Sequence, residues 1–377
     1  MAKNISVTEL PFWQKARQKR TLLRLTLELT KRCNNNCLHC YNNLPANDAE
    51  EVENELHTDE IKSIVDEAVD LGLLYILLTG GEIFLRKDFF ELYLYMKKKG
   101  LLISLFTNAT LITRREAELL RQFPPRDIEV SVYGVSRADY SNVARKNNFS
   151  NFMSGIDHLK RAGLPFSLKT TLMKANYAEV DSISEFCTRH STHEEKKFRF
   201  DPFLVLRTDR NPERNRDILK QRLSIKQILD IEKKYPERLT ELHNQARHVT
   251  QNPPKDRQSG TLFTCGAGIN SCSIDAHGNF KLCSLLVNEN SRYNLREGSL
   301  KDAWHHFVPK VRAFRSETSS YTKQCGPCKL RDMCMWCPAI ADLETGVMDR
   351  KIERFCNDCH KRYEFCKDFS LKNEGHK

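Results

Sequence analysis

The 377-residue sequence contains no long apolar run. Its longest, around Leu71 to Leu78, falls far short of the roughly 20 residues a membrane span needs. No apolar stretch follows the start Met1-Ala2-Lys3-Asn4, which argues against a secretory signal peptide. The Lys and Arg residues behind the net charge of +11 are scattered and not interleaved with aromatics, so they read as a solvated surface rather than a nucleic-acid path. With 40% hydrophobic residues the chain reads as an ordinary soluble globular protein, long enough for two or three domains. The cytoplasm is the expected location, with neither a membrane nor nucleic acid as partner.

Cysteine is what the chain has in quantity, with 14 residues. In a reducing compartment that number argues for metal ligation over disulfides. Cys33, Cys37 and Cys40 stand in one short loop, spaced Cys-x3-Cys-x2-Cys, directly after the strand-like run Leu23 to Thr30. No fourth cysteine is near enough to close a structural zinc site. Three thiolates on a cubane [4Fe-4S] cluster would leave one iron open. The spacing resembles the signature of the radical S-adenosylmethionine (SAM) enzymes, and the resemblance implies SAM on that open iron.

Leu23 to Thr30 alternates apolar and polar residues as a strand does. A helix is expected from Thr58 as N-cap to a stop at Gly72, with Ile61, Ile64, Val65, Ala68 and Leu71 at helical spacing. Strands at 73–79, 101–106, 128–133, 166–173 and 198–206 then alternate with helices at 88–99, from the capping box Thr113/Glu116, at 151–162 and at 177–189. This alternation predicts an α/β fold with a parallel sheet. Six such units resemble the partial (β/α)6 barrel, TIM-like, of the radical SAM core, with functional loops at the carboxyl ends of the strands. The domains read as a leader at 1–22, the core at 23–207, a helical connector at 208–259 and a cysteine-rich domain at 260–377. Phe12 and Trp13 are the expected anchors of the leader.

The resemblance assigns SAM contacts residue by residue. Gly80-Gly81-Glu82, at the end of the second strand, matches the segment that binds the amino group of the SAM methionine, with Glu82 as the negative partner. Taken alone, the triplet is also a tight turn. Ser131 matches a ribose- or carboxylate-binding serine, and a barrel-interior hydroxyl is the other reading of it. Asn108 lies in a Thr-Asn-Gly-like turn where Ala109 replaces the glycine. His39 holds the position whose main chain meets adenine. Arg145 lies near the place of a carboxylate-binding arginine, shifted by one residue.

Cys265-x6-Cys272, Gly278, Cys283, then Cys325-x2-Cys328-x5-Cys334-x2-Cys337 and Cys356 resemble the SPASM domain, which holds two auxiliary [4Fe-4S] clusters. Carried over, Cys265, Cys272, Cys283 and Cys337 hold the first, and Cys325, Cys328, Cys334 and Cys356 the second. Cys359 or Cys366 could replace Cys356. The x2 before Cys337 departs from the usual x3. A zinc knuckle is the competing reading, but its paired cysteines normally stand about 15–20 residues apart. Cys187 reads as a small buried hydrophobe.

Together these likenesses imply an oxidoreductase with three [4Fe-4S] clusters and SAM. It would form a 5′-deoxyadenosyl radical and take hydrogen from a peptide or protein side chain, oxidising or cross-linking it. The leader is too short for the recognition domain many peptide maturases carry, so a separate recognition protein could serve. A flavodoxin or ferredoxin is the expected electron donor. A small-molecule enzyme, such as a tetrapyrrole-modifying member, is the alternative, and a non-catalytic metal-stabilised binding module is the third reading.

Overall fold

The computed structural model describes residues 10–193, 198–251 and 260–374. The first part of the leader and the end of the connector, residues 252–259, lie outside the described residues. Helix α1 (Pro11–Gln18) precedes β1 (Arg24–Thr30), and Trp13 stacks on Tyr75 with the Arg24 guanidinium over its ring. Then follow α2 (Thr58–Asp70), β2 (Tyr75–Gly80), α3 (Phe89–Lys98), β3 (Leu102–Thr107), α4 (Arg114–Gln122) and β4 (Asp127–Ser131). Two helices, α5 (Arg137–Ala144) and α6 (Phe149–Arg161), lead to β5 (Ser167–Thr171), α7 (Val180–His190) and β6 (Phe198–Asp201). Strands β1 to β6 pair in sequence order and in parallel. This is a partial (β/α)6 barrel.

Local chemistry explains most of the boundaries. Thr58 opens α2 as its first residue rather than its cap: the helix is capped at His57, whose N–H donates to Glu60, while Thr58 Oγ1 donates to Asp88. Gly72, at φ +97°, ends the turn that follows α2. Thr113 and Glu116 form the expected box at the start of α4. Helix α5 was not anticipated, because its eight residues carry only a short apolar stripe.

Period-two alternation divides the strands between two faces. Leu25, Leu27 and Leu29 of β1, Ile76 and Leu78 of β2, and Ile103 and Leu105 of β3 are buried in the main core. The opposite face turns polar groups inward: Glu28, Thr79, Glu129, Ser131, Lys169, Arg199 and Asp201 occupy the matching register positions.

After β6 come α8 (Pro212–Gln221), α9 (Ile225–Lys234) and α10 (Pro236–Gln251). The cysteine-rich region then adds β7 (Ser271–Ile274) parallel to the free edge of β1, with β8 (Asn279–Lys281) and β9 (Tyr293–Asn294) beyond it. One nine-stranded sheet therefore joins the strand that carries the cysteine loop to the first strands of the cysteine-rich region. Helices α11 (Pro338–Thr345) and α12 (Glu353–Glu374) close the chain. Among the described residues no helix is long and apolar enough to cross a membrane.

Candidate active site

Past Thr30 the chain turns into the cysteine loop at the carboxyl end of β1. Arg32–Cys33 pairs with Leu44–Pro45 and closes the base of the loop. Glu55 anchors this base: it accepts from Thr30 Oγ1 and takes Arg32 at 2.8 and 3.0 Å. The loop N–H groups of Asn36 and Leu38 donate to the carbonyls of Ala144 and Val143, satisfying the orphan acceptors at the end of α5. Asn35 donates to the Tyr140 hydroxyl and accepts from Asn148, while Asn34 donates to Thr110.

Two arginines, Arg207 at the end of the segment read as the core and Arg214 in the connector, complete the clamp. Arg214 donates to the Cys37 carbonyl at 2.9 Å and to Asn36 Oδ1 at 2.6 Å. Arg207 is buried, donates to the carbonyls of Cys40 and Asn43, and pairs with Asp209. Neither was anticipated, since neither lies in a recognisable motif. Arg145 is held by Asp217 at 3.0 Å and does not line the site.

Cys33, Cys37 and Cys40 line one cavity of about 400 Å³ with Gly80, Gly81, Asn108, Ser131, His39, Tyr133, Lys169 and Asp201. Burial first, then the Glu82 carboxylate, pushes the Cys33 thiol up to about 12. Cys37 and Cys40 are raised chiefly by burial as well. Thiols in this condition stay protonated until a cation takes them as thiolates. Donors already face that sulfur, with Asn35 N–H at 3.4 Å and Asn108 Nδ2 at 3.7 Å from Cys33 Sγ. Soft ligands with N–H groups aimed at them fit an iron-sulfur cluster.

The glycine pair has a packing task as well. A Cβ on Gly80 would stand 2.1 Å from the Thr30 carbonyl oxygen, and one on Gly81 2.1 Å from that of Arg32. Only glycine lets the end of β2 receive the loop backbone, through Gly81 N–H to Thr30 and Glu82 N–H to Arg32. Glu82 departs from expectation. Its carboxylate is fully buried outside the cavity lining and accepts from Thr107 Oγ1 and the Asn108 N–H. It ties β2 to β3, and burial pushes its pKa up to about 7. Ala109 adopts φ +60°, the left-handed conformation of the glycine it replaces.

His39 is held neutral, its pKa lowered to about 4 by burial and by Arg214 and Lys169. Its ring lies 5.5 Å from Tyr133, and its Nδ1 is buried without a hydrogen-bond partner. Lys169 on β5 brings a cation to the cavity wall, 3.7 Å from Glu129. It had no recognisable motif, although its register opposite Ser131 marks it as inward-facing.

In the carboxyl-terminal region, Cys325, Cys328, Cys334, Cys356 and Cys359 line a second cavity of about 260 Å³. Cys359 sits beside Cys334, and its thiol donates to the Leu330 carbonyl at 3.4 Å. Cys366 lies apart, next to the Leu242 carbonyl. Burial chiefly raises the thiols of Cys283 and Cys337, with smaller contributions from Cys265 to both and from Cys283 to Cys337. Cys272 does not join them. It lies on β7 opposite Leu25 and is buried in the main core. Among the described residues no three Cys, His, Asp or Glu side chains stand close enough to share a single ion.

The profile of the Radical SAM superfamily matches residues 27–187. The AdoMet-dependent heme synthase of Methanosarcina barkeri is 28% identical over 333 residues, 85% of this chain and 92% of that protein. The antilisterial bacteriocin subtilosin biosynthesis protein AlbA of Bacillus subtilis is 24% identical over 318 residues, covering 83% and 65%. Among solved structures, Streptococcus suis SuiB bound to precursor peptide SuiA superposes with a TM-score of 0.61 at 16% identity, over 93% of this chain and 82% of that one. The shared fold extends through the cysteine-rich region, whose cysteines fit the SPASM pattern.

Proposed function

Because the chain carries a radical SAM domain, we propose that it is a SPASM-type oxidoreductase acting on a side chain of a peptide or protein. Cys33, Cys37 and Cys40 would hold a [4Fe-4S] cluster. Gly80, Gly81, Asn108, Ser131 and the main chain of His39 would hold SAM, and Lys169 supplies a cation for its carboxylate. When bound, cluster and SAM supply a 5′-deoxyadenosyl radical that takes a hydrogen atom from the substrate. The protein's part is to fix the donor set, exclude water and present the substrate carbon. Auxiliary clusters in the carboxyl-terminal region would accept the electron left on the oxidised substrate, and a flavodoxin or ferredoxin would supply the first one.

The substrate reading rests on one observation. A polar cleft of about 750 Å³ adjoins the SAM cavity, with Asn42 in the wall of both. Its lining includes Glu28, Asp48, Glu50, Glu51, Asp209 and Asp275 against Lys31, Arg210, Lys281 and Arg292. Mixed groups with a carboxylate excess suit a peptide rich in amides and bases, and they disfavour a polycarboxylate. A second reading, the oxidation of a tetrapyrrole, is favoured by the longer and closer match to the heme synthase.

The test is anaerobic. Reconstituted protein with SAM and dithionite is expected to release 5′-deoxyadenosine, and Cys33→Ala to reduce this to background. Given a basic peptide and iron coproporphyrin III in competition, the peptide is expected to lose hydrogen. Decarboxylated tetrapyrrole would overturn the substrate reading, and absence of 5′-deoxyadenosine would overturn the enzyme.

A further inference from the structure

The net charge of +11 is not spread evenly along the chain. Residues 10–27 hold Lys15, Arg17, Lys19, Arg20 and Arg24 and no Asp or Glu. Residues 303–316 hold Lys310, Arg312 and Arg315 and again no Asp or Glu. Residues 260–274, which include Cys265, carry no charged side chain at all. The fold joins these three segments. Asn270 Nδ2 donates to the carbonyls of Ala16 and Thr21, and the Asn270 carbonyl accepts from the N–H groups of Leu23 and Arg24. Arg20 and Trp304 each donate to the other's carbonyl, at 2.9 and 2.7 Å. Arg312 donates to the carbonyls of Cys265, Ala267 and Phe263.

Strand register fixes where they meet. Arg24, the first residue of β1, stands opposite Ser271, the first of β7, so this face lies at the amino end of the sheet. The cysteine loop leaves the carboxyl end of β1, roughly 20 Å further along the strand. The substrate cleft is at that far end as well, since Asp275 and His277, which follow β7, are in its wall. A molecule seated at the amino end leaves both open.

The face is basic and accessible. Lys15, Arg17 and Lys19 are exposed on α1, and Lys310 is exposed on the short helix Val308–Arg312. Among the described residues none of these four is in an ion pair with a carboxylate. Burial, and after it the neighbouring Arg20 and Arg17, lower the Arg312 pKa, so like charges from both segments lie near one another. Asp302, which precedes the second segment, is engaged by the Tyr293 hydroxyl at 2.6 Å. Phe12 on α1 is 55% exposed and adds an apolar contact beside the cations. Cys265, alone of the 14 cysteines, is exposed, and it stands in the uncharged turn that Arg312 holds.

We propose that this face is the docking surface for a small acidic electron-carrier protein, which sets its carboxylates on Lys15, Arg17, Lys19 and Lys310 and its redox group against the Cys265 turn. The inference rests on the iron-sulfur reading of the carboxyl-terminal cysteines above. Cations without partners steer an acidic protein to the face and speed its arrival. An uncharged turn at the centre lets the partner come close to an exposed metal ligand without desolvating an ion pair.

The test uses the full-length protein, reconstituted anaerobically, with an acidic flavodoxin as probe and its dissociation constant read by calorimetry across a salt series. Binding is expected at low salt and should weaken at least roughly tenfold between about 50 and 300 mM. Reversing the α1 charges together, by Lys15→Glu, Arg17→Glu and Lys19→Glu, should weaken it at least roughly tenfold. Lys310→Glu alone should weaken it in the same direction. Lys87→Glu with Lys226→Glu, exposed lysines on other elements, should leave it unchanged. With dithionite as reductant the α1 variant should release 5′-deoxyadenosine as the native protein does, which separates a lost surface from a lost fold. Absence of binding by the native protein would overturn the proposal, as would equal weakening by the two sets of reversals. Tighter binding of single-stranded DNA than of flavodoxin, lost in the same α1 variant, would also overturn it and make the face a nucleic-acid site. If the α1 variant does not fold, Lys310→Glu and the salt series decide. Native protein that cleaves no SAM with dithionite would sink the enzyme reading, whereas one that cleaves SAM but holds no flavodoxin on this face sinks only this inference.

Discussion

In the cysteine loop, three thiols come from one short segment, and groups that are not cysteines hold them in place. Glu55, Asn35, Asn148, Arg207 and Arg214 all bind the loop's backbone or its neighbours. In the carboxyl-terminal region, the thiols of the second cavity come from Cys325 through Cys359, on short turns and the first turns of α12. On the function proposed above, the loop would be assembled before its metal arrives, whereas the second cavity would depend on the metal to join its segments. A loop that must release and rebind a ligand on an open iron gains from preorganisation. A closed electron relay loses nothing by folding around its cluster.

Removing iron with a chelator is the largest expected disturbance of this contrast. Amide exchange should rise at least roughly tenfold across 320–356, where binding energy is folding energy. The N–H groups of Asn36 and Leu38, bonded to α5, should change far less. Equal loss of protection in both regions would remove the distinction.

Glu82 sharpens it from the loop side. Burial raises its pKa from 4.5 to about 7. A carboxyl that holds its proton more tightly when folded gives stability that is complete below pH 4.5 and lost as the pH climbs through 7. The loss is on the order of 3 kcal/mol, and Glu82→Gln should flatten it in urea melts of the metal-free protein between those limits. A slope unchanged by the substitution would mean that the Thr107 and Asn108 donors already stabilise the anion.

Arg214→Met keeps the apolar stem of the side chain and removes three charged hydrogen bonds to the loop, to Asn36, Cys37 and Asn43. The expected cost is about 1.5–3 kcal/mol, together with weaker SAM retention in equilibrium dialysis. A matching cost without any loss of SAM binding would show that the clamp supports the fold and not the site.

Much of this was legible in the sequence. Period-two strands, capped helices and the Cys-x3-Cys-x2-Cys loop are local signals, and the six-strand order followed from them. What escaped was non-local. Arg207 and Arg214 act on carbonyls more than 160 residues away in the chain, and no spacing announces a clamp. Cys272 shows a second limit of spacing. Its spacing suited a ligand, but strand pairing decides which face a side chain takes. The same alternation was present in Ser271-Cys272-Ser273-Ile274, where Cys272 shares a face with Ile274. Glu82 sat in a matching motif, yet its neighbours Thr107 and Asn108 had first claim on its carboxylate.

Ala109 gives the smallest effect, and its sign is informative. At φ +60° an L-residue carries a cost of roughly 1–2 kcal/mol that glycine avoids. Against this, the methyl group is fully buried and packed where α6 comes close at Gly155, and its removal costs about 0.8 kcal/mol. Glycine also loses more chain entropy on folding, which reduces the gain further. Ala109→Gly should therefore stabilise the protein by less than about 1 kcal/mol, seen as a small rise in the urea midpoint at constant slope. A destabilised variant would mean that the methyl contact with α6 outweighs the strain. The turn carrying Asn108 would then be held against Cys33 by packing, as the rest of the loop is held by hydrogen bonds.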